Sequence, residues 1–128
     1  MKRQFFIAGV QFRPKVEINA AVREMKKGDK LLLKPEPTNK FDPNAVQIWL
    51  CKTYAVDETV DDALQAFLGY VPKKFSSEVS AMLGIGAPVV CTVDEVNSAA
   101  KTYEMFKVTV SIPVDEEEQG EDEGVSER

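Results

Sequence analysis

Apolar residues in this chain cluster into short runs that alternate with polar and turn-forming residues. Runs of this length, rich in β-branched and aromatic residues, are typical of β-strands. The pattern predicts six strands, at residues 3–10, 30–33, 44–50, 67–71, 87–96 and 101–112. The last two strands are expected to form a hairpin, because only the polar turn at residues 97–100 separates them.

A first helix is predicted between the first two strands. Ile18, Val22 and Met25 share one face at helical spacing. Asn19 is the predicted N-cap of this helix, and Gly28 is its predicted stop. The helix is therefore expected to be short and to bury one apolar stripe.

A second helix is predicted after the fourth strand. Pro72 suits the first turn of a helix, and Ser76 or Ser77 is the predicted capping residue. The buried stripe is an apolar set at helical spacing, which consists of Phe75, Val79, Met82 and Leu83. Gly84 and Gly86 are expected to end the helix.

Two segments lack apolar periodicity. Residues 52–64 contain four acids and are predicted to be a surface insertion, with a helical turn at residues 60–64. Residues 114–128 contain eight acids and are predicted to be a disordered acidic tail. Residues 1–113 then form one domain, long enough to bury a single core. Because six strands and two short helices show no βαβ rhythm, we expect a mainly β fold, an OB-like or SH3-like six-stranded small barrel.

The residue types present disfavour several kinds of chemistry. The chain has no histidine, and its two cysteines, Cys51 and Cys91, are too far apart for a CxxC motif. Zinc, iron–sulfur and Cys/His nucleophile sites are therefore not expected, and no cofactor is predicted. Both cysteines lie in apolar runs, which favours buried thiols in a reducing cytoplasm, with a disulfide as the alternative. The apolar run near the N-terminus is too short for a signal peptide or a membrane span.

Charge is distributed unevenly along the chain. The formal net charge is −5, yet residues 114–128 carry eight acids and one arginine, so residues 1–113 have a net charge of +2. Residues 1–40 contain ten Lys and Arg against four Asp and Glu. This local excess could attract phosphate groups, although such a run is also typical of an ordinary solvated surface.

The segment at residues 36–46 places one aromatic residue and one acid among turn-forming residues, between two predicted strands. Its Pro, Asn and Asp residues restrict the backbone or cap it with a side chain. Phe41 and Asp42 are therefore expected to be held in fixed positions. A fixed aromatic ring beside a fixed carboxylate at the edge of a sheet suits ligand recognition.

In order and spacing, four segments of this sequence resemble the HIRAN domain family, whose members occur beside some Swi/Snf-type helicases and as free-standing bacterial or phage proteins. The segments are residues 7–10 (IAGV), 28–33 (GDKLLL), 36–46 (EPTNKFDPNAV) and 68–72 (LGYVP). The resemblance covers residues 5–112. It implies an OB-like barrel that binds the 3′ end of single-stranded DNA.

The resemblance also implies roles for individual residues. Phe12 and Phe41 fall where helicase-linked members have aromatics that hold the terminal bases. Asp42 falls at the acid that contacts the 3′ hydroxyl. Lys73 matches a lysine that touches phosphate, and Tyr70 stands where a histidine can occur.

The sequence departs from the family pattern at three places. Gln11 stands where the helicase-linked members have a basic residue, and Arg13 could offset that loss. The phenylalanines at positions 12 and 41 lack the phenolic hydroxyls of those members. The acidic segment 52–64 could crowd the binding groove.

Residue chemistry leaves alternatives open at these positions. Either phenylalanine could be a core residue, and Asp42 could cap its turn, which is compatible with hydroxyl binding. Asn39 is interpreted as shaping the loop more than contacting a base, and Trp49 as half-buried barrel wall. Lys34 and Lys40 could contact phosphate or be solvated surface groups. The predicted nucleic-acid-binding residues are Gln11, Phe12, Arg13, Lys34, Asn39, Lys40, Phe41, Asp42, Tyr70 and Lys73.

We therefore predict a non-enzymatic module that recognises single-stranded DNA at its 3′-hydroxyl end, in DNA repair or replication. Its expected partners are DNA 3′ ends and a separate helicase, nuclease or other DNA-processing protein, without membrane contact. The alternative is a protein–protein interaction adaptor on the same barrel fold. A hydrolase built on Asp42 is disfavoured, because no second acid or nucleophile stands at an interpretable spacing.

Overall fold

The computed structural model of the protein describes residues 1–55 and 61–112. The chain forms β1 (Lys2–Phe6), α1 (Lys15–Glu24), β2 (Lys30–Pro35), β3 (Val46–Ala55), β4 (Asp61–Tyr70), α2 (Lys73–Gly84), β5 (Val90–Val96) and β6 (Phe106–Ser111). Single 3₁₀ turns lie at Val10–Phe12 and Thr102–Glu104. The strands form one antiparallel sheet in the order β1-β6-β5-β2-β3-β4. The predicted mainly β class, with six strands and two short helices, is confirmed.

The two edges of the sheet approach each other just after β1. The backbone N–H of Ala8 donates to the carbonyl oxygen of Tyr70 at 2.9 Å, and the N–H of Tyr70 donates back to Ala8 at 2.8 Å. Gly69 permits this approach, because a Cβ at that position would collide with the carbonyl oxygen of Ala8. Among the described residues β1 and β4 are joined only by this isolated bridge. The fold is thus an OB-like small barrel whose sheet is not closed.

The core lies inside the curved sheet and under the helices. From α1 it receives Ile18 and Ala21, with Met25 just after the helix, and from α2 it receives Val79. The strands contribute side chains at every second position, as the two-residue period of a strand requires. The largest of these fully buried residues are Val46, Ile48, Leu50, Leu68, Cys91, Val93, Phe106, Val108 and Val110.

The predicted start of the first helix is wrong. Helix α1 begins at Lys15, directly after Pro14, and Asn19 lies inside the helix rather than at its cap. The carbonyl oxygen of Pro14 already accepts two helical N–H groups. Because proline fixes its own φ near the helical value and needs no N–H partner, it starts the helix without a side-chain cap. The helix ends at Glu24, earlier than the predicted stop at Gly28.

The predicted surface insertion at residues 52–64 is wrong over its described part. Strand β3 continues to Ala55 and β4 begins at Asp61, and the two remain paired as far as these residues. Residues 61–64 are strand rather than a helical turn, and residues 56–60 lie outside the described residues. Backbone pairing forms this polar hairpin, so its sequence lacks the apolar alternation that identifies a strand.

Other element boundaries also differ from the prediction. β1 ends at Phe6, because Gly9 adopts a φ of 79° and a 3₁₀ turn follows it. Helix α2 lies where it was expected, but neither Ser76 nor Ser77 caps it, and Ser76 is buried. In the last hairpin a 3₁₀ turn occupies residues 102–104, so β6 begins later than predicted.

The two cysteines differ in burial. Cys91 is buried as predicted, and burial raises the pKa of its thiol to about 12. The predicted burial of Cys51 is wrong: it is exposed, because it follows the buried Leu50 in β3 and must face outward. Both thiols are free, so the disulfide alternative is wrong. The predicted disordered tail at residues 114–128 lies outside the described residues.

Candidate nucleic-acid interface

A cavity of about 450 Å³ opens between the first 3₁₀ turn, the loop before β3, the end of β4 and the start of α2. The crossing of the sheet edges at Ala8 and Tyr70 forms part of its wall. Seven of the ten predicted site residues line it, namely Phe12, Arg13, Asn39, Phe41, Asp42, Tyr70 and Lys73. We call this space the end cavity. Residues far apart in the sequence are therefore brought together as one concave surface.

The two phenylalanines are displayed to solvent at the end cavity. Phe12 is 80% exposed and Phe41 is 88% exposed, so the alternative that either ring is a core residue is wrong. The N–H of Phe12 donates to the carbonyl oxygen of Gly9 at 3.1 Å, which closes the 3₁₀ turn. The N–H of Phe41 donates to the side chain of Asn39 at 2.8 Å. These hydrogen bonds fix the backbone from which each exposed ring projects.

Asn39 shapes the loop, as predicted. Its Oδ1 accepts the N–H groups of Phe41 at 2.8 Å and of Asp42 at 3.0 Å. The N–H of Glu36 donates to the carbonyl oxygen of Ala45 at 2.8 Å and closes the base of the loop. The loop is therefore built by its own hydrogen bonds before any ligand arrives.

Asp42 has one partner for each carboxylate oxygen. Its Oδ1 accepts the N–H of Asn44 at 2.9 Å, so the turn-capping role is confirmed. Its Oδ2 accepts the hydroxyl of Ser76 at 2.6 Å, a contact from α2 that the sequence did not suggest. The Ser76 hydrogen bond, then that of Asn44, lowers the pKa of Asp42, and the charge of Lys73 acts in the same direction. The carboxylate is thus held ionised, and each oxygen retains a lone pair that can accept another donor.

Glu36 supports the site without lining the end cavity, and the sequence did not single it out. Its Oε1 accepts the side-chain N–H of Gln47 at 2.6 Å and the hydroxyl of Tyr70 at 2.7 Å, and its Oε2 accepts Asn39 Nδ2 at 3.3 Å. The hydrogen bonds from Gln47 and then Tyr70 lower the pKa of Glu36. Burial, followed by the hydrogen bond and charge of Glu36, raises the pKa of Tyr70. Tyr70 therefore stays protonated and points its donor at Glu36.

Arg13 is held against the outer face of the barrel. Its Nε donates to the carbonyl oxygen of Phe67 at 3.1 Å, and its guanidinium lies 4.0 Å from the centre of the Phe67 ring. The Phe67 ring stacks on Trp49 at 5.2 Å, and Lys34 Nζ lies 5.1 Å from the Trp49 ring. We call this row of stacked side chains, Arg13, Phe67, Trp49 and Lys34, the ladder. Its cation–π and ring contacts fix Arg13 at the rim of the end cavity. Trp49 is half-buried in the barrel wall, as predicted.

Three predicted site residues do not line the end cavity. Gln11 faces a neighbouring cavity on the other side of the 3₁₀ turn. Lys34 belongs to the ladder on the outer face of the sheet. Lys40 is exposed in the loop. The cations that line the end cavity are therefore Arg13 and Lys73.

In the part of the chain that the structure describes, no group of three His, Cys, Asp or Glu residues is arranged to hold a metal ion. Within the same residues, no helix is both long and apolar enough to span a membrane.

Comparisons with known proteins identify the fold. The family model for the HIRAN domain matches residues 2–114. A Lactobacillus plantarum protein of known crystal structure superposes with a TM-score of 0.62 at 15% identity, over 86% of this chain and 95% of that chain. The HIRAN domain of human HLTF superposes with a TM-score of 0.52 at 11% identity, over 85% of this chain and 70% of that chain. No curated protein matches this sequence at a significant level.

Proposed function

The chain belongs to the HIRAN domain family, a family of nucleic-acid-binding modules, and we propose that it binds single-stranded DNA at a free 3′-hydroxyl end without catalysing a reaction. The observation that carries this proposal is the composition of the end cavity. Two exposed aromatic rings and two cations surround one ionised carboxylate. This combination suits the end of a strand better than its middle.

The aromatic rings suit unpaired bases. A base can stack on an exposed phenyl ring for about 1–3 kcal/mol without a particular sequence being required. Phe12 and Phe41 come from separate segments and line the same cavity, so the last bases of a strand could be held by both. Arg13 and Lys73 are available for the phosphates that link these bases.

The carboxylate selects for a terminus. Asp42 is ionised and would repel a phosphate placed next to it. A 3′ hydroxyl can instead donate a hydrogen bond to a free lone pair of this carboxylate, and charge-assisted hydrogen bonds are strong. The acid is unfavourable along a continuous strand and favourable only where a hydroxyl replaces the next phosphodiester.

A comparison of three ligands tests this proposal. Each is the same short single strand, either with a 3′ hydroxyl, with a 3′ phosphate or closed into a circle. The wild-type protein should bind the hydroxyl-ended strand most tightly in a fluorescence or calorimetric titration. Equal affinity for all three would contradict end recognition, and no affinity for any of them would favour the adaptor function.

The variant Asp42→Asn identifies the residue responsible. It should lose most of the preference for the hydroxyl while salt-sensitive binding to the strand remains. The matched control is Glu95→Gln, because Glu95 is exposed on β5 and does not line the end cavity. Thermal unfolding of each variant checks that the Asp42 turn still folds.

Such a module would serve DNA repair or replication in the cytoplasm by marking or delivering a strand end. The bound end would then pass to a helicase, nuclease or other DNA-processing protein.

A further inference from the structure

A second cavity, of about 420 Å³, lies beside the end cavity on the other side of the first 3₁₀ turn. We call it the flanking cavity. Its size falls in the range of about 300–1,000 Å³ that is usual for ligand pockets. Val10–Phe12 separates the two cavities, with Phe12 facing the end cavity and Gln11 facing the flanking one. Arg13 lines both, so the two spaces adjoin at its side chain.

The chemistry of the flanking cavity suits a nucleotide. Its floor is apolar and is formed by Val10, Ile18 and Met105. Its rim carries hydrogen-bond donors, which come from Gln11, Arg13, Lys15, Asn19 and Thr102. None of its described lining residues is acidic, and two of them are cations. An apolar floor under a cationic, donor-rich rim complements a base joined to its phosphodiester.

We propose that the flanking cavity binds the nucleotides immediately 5′ of the end that occupies the end cavity, with Lys15 contacting a backbone phosphate. This inference rests on the proposed function, because it extends the path of the same strand. The fixed Arg13 directs that path, since its guanidinium is tied to Phe67 at the point where the two cavities meet. The difference in charge between the two cavities also assigns the direction of the DNA strand. The carboxylate lies in the end cavity, where the strand stops, and the acid-free cavity receives the continuing phosphates.

A length series of single strands with a constant 3′-hydroxyl end tests the proposal. Two-nucleotide and six-nucleotide strands are titrated at several salt concentrations against the wild type and Lys15→Gln. The six-nucleotide strand should bind the wild type more tightly and with a steeper salt dependence. The salt dependence is the slope of log affinity against log salt concentration. Lys15→Gln should reduce the magnitude of this slope by about 0.7, which is the value for one phosphate contact on a single strand. It should leave the two-nucleotide strand unaffected.

Two further variants make the result specific. Lys27→Gln removes the same charge from an exposed position that lines neither cavity, and it should change neither slope. Asn19→Asp places a carboxylate in the rim of the flanking cavity. It should weaken binding of the six-nucleotide strand but not of the two-nucleotide strand. Lys15 and Asn19 are both exposed, so neither change removes core packing.

Neutral methylphosphonate linkages, introduced one at a time along the six-nucleotide strand, locate the contact. One linkage on the 5′ side of the last two nucleotides should reduce wild-type affinity and have no further effect in Lys15→Gln. The inference is overturned if strand length or Lys15 makes no difference while the 3′ hydroxyl is still preferred over a 3′ phosphate. If that preference is absent as well, the proposed function itself has failed.

Discussion

Replacing Phe12 or Phe41 by alanine separates base stacking from core packing. The two rings are 80% and 88% exposed, so little apolar surface is lost on truncation. The free energy of unfolding should change by less than about 0.5 kcal/mol, as for other surface substitutions. Each ring that stacks on a base should contribute about 1–3 kcal/mol to binding. The dissociation constant for a 3′-hydroxyl strand should therefore rise about 5- to 140-fold per substitution.

Fluorescence anisotropy gives the affinities, and thermal unfolding gives the stabilities. Phe6→Ala is the matched control for binding, because Phe6 is also partly exposed but does not line the end cavity. Phe106→Ala is the comparison for stability, because Phe106 is fully buried and its truncation should cost about 3–5 kcal/mol. Stacking would be refuted if both cavity variants bind like the wild type. Loss of stability on the scale of Phe106→Ala would show instead that the rings are packed.

Two further predictions concern electrostatics. Because hydrogen bonds depress the pKa of Glu36, its contribution to stability is present above its ordinary value of 4.5 and is lost as the pH falls through the depressed value. Tyr70→Phe removes one of these hydrogen bonds, so an NMR titration should show a higher pKa for Glu36 than in the wild type. The variant should also lose less stability than the wild type when the pH is lowered. An unchanged pKa of Glu36 would contradict the Tyr70–Glu36 contact. Truncation after Pro113 removes eight acids and one arginine, and it should tighten DNA binding at low salt with little effect at high salt. A large fall in melting temperature would show instead that the tail belongs to the fold.

Local signals in the sequence identify the Asn39–Asp42 part of the end cavity, whereas Phe12, Tyr70 and Lys73 were assigned through the resemblance to the HIRAN family. Asn39, Phe41 and Asp42 lie within one turn, where side chains of the Asn and Asp type hydrogen-bond to nearby backbone N–H groups. The signals that distinguish strands from helices are equally local, since they depend on apolar periods of two residues or of three to four residues. The error in the extent of β3 and β4 falls where this periodicity is absent, in the polar part of their hairpin.

The contacts that complete the site could not be read from such patterns. The Tyr70–Glu36 and Ser76–Asp42 hydrogen bonds each join residues 34 positions apart, and the Arg13–Phe67 contact spans 54 positions. These partners meet because the sheet curves until its edges are bridged at Ala8 and Tyr70, and because α2 packs against β1 and the loop before β3. No spacing rule in a single sequence specifies that geometry, so Glu36 and Ser76 were not predicted as parts of the site.

The two carboxylates near the end cavity differ in the capacity that they leave for a ligand. Glu36 accepts three side-chain donors, and its Oε1 takes two of them, so that oxygen has no lone pair to spare. Asp42 accepts one donor on each oxygen, and it lines the cavity whereas Glu36 does not. Glu36 therefore organises the protein donors around it, which include Tyr70 and Asn39. Asp42 is the ionised acceptor that the proposed 3′ hydroxyl would reach. Under the proposed function, this division of roles explains why a surface that binds a polyanion can contain two acids, because only Asp42 would face the ligand, and it would meet the DNA strand where the phosphates end.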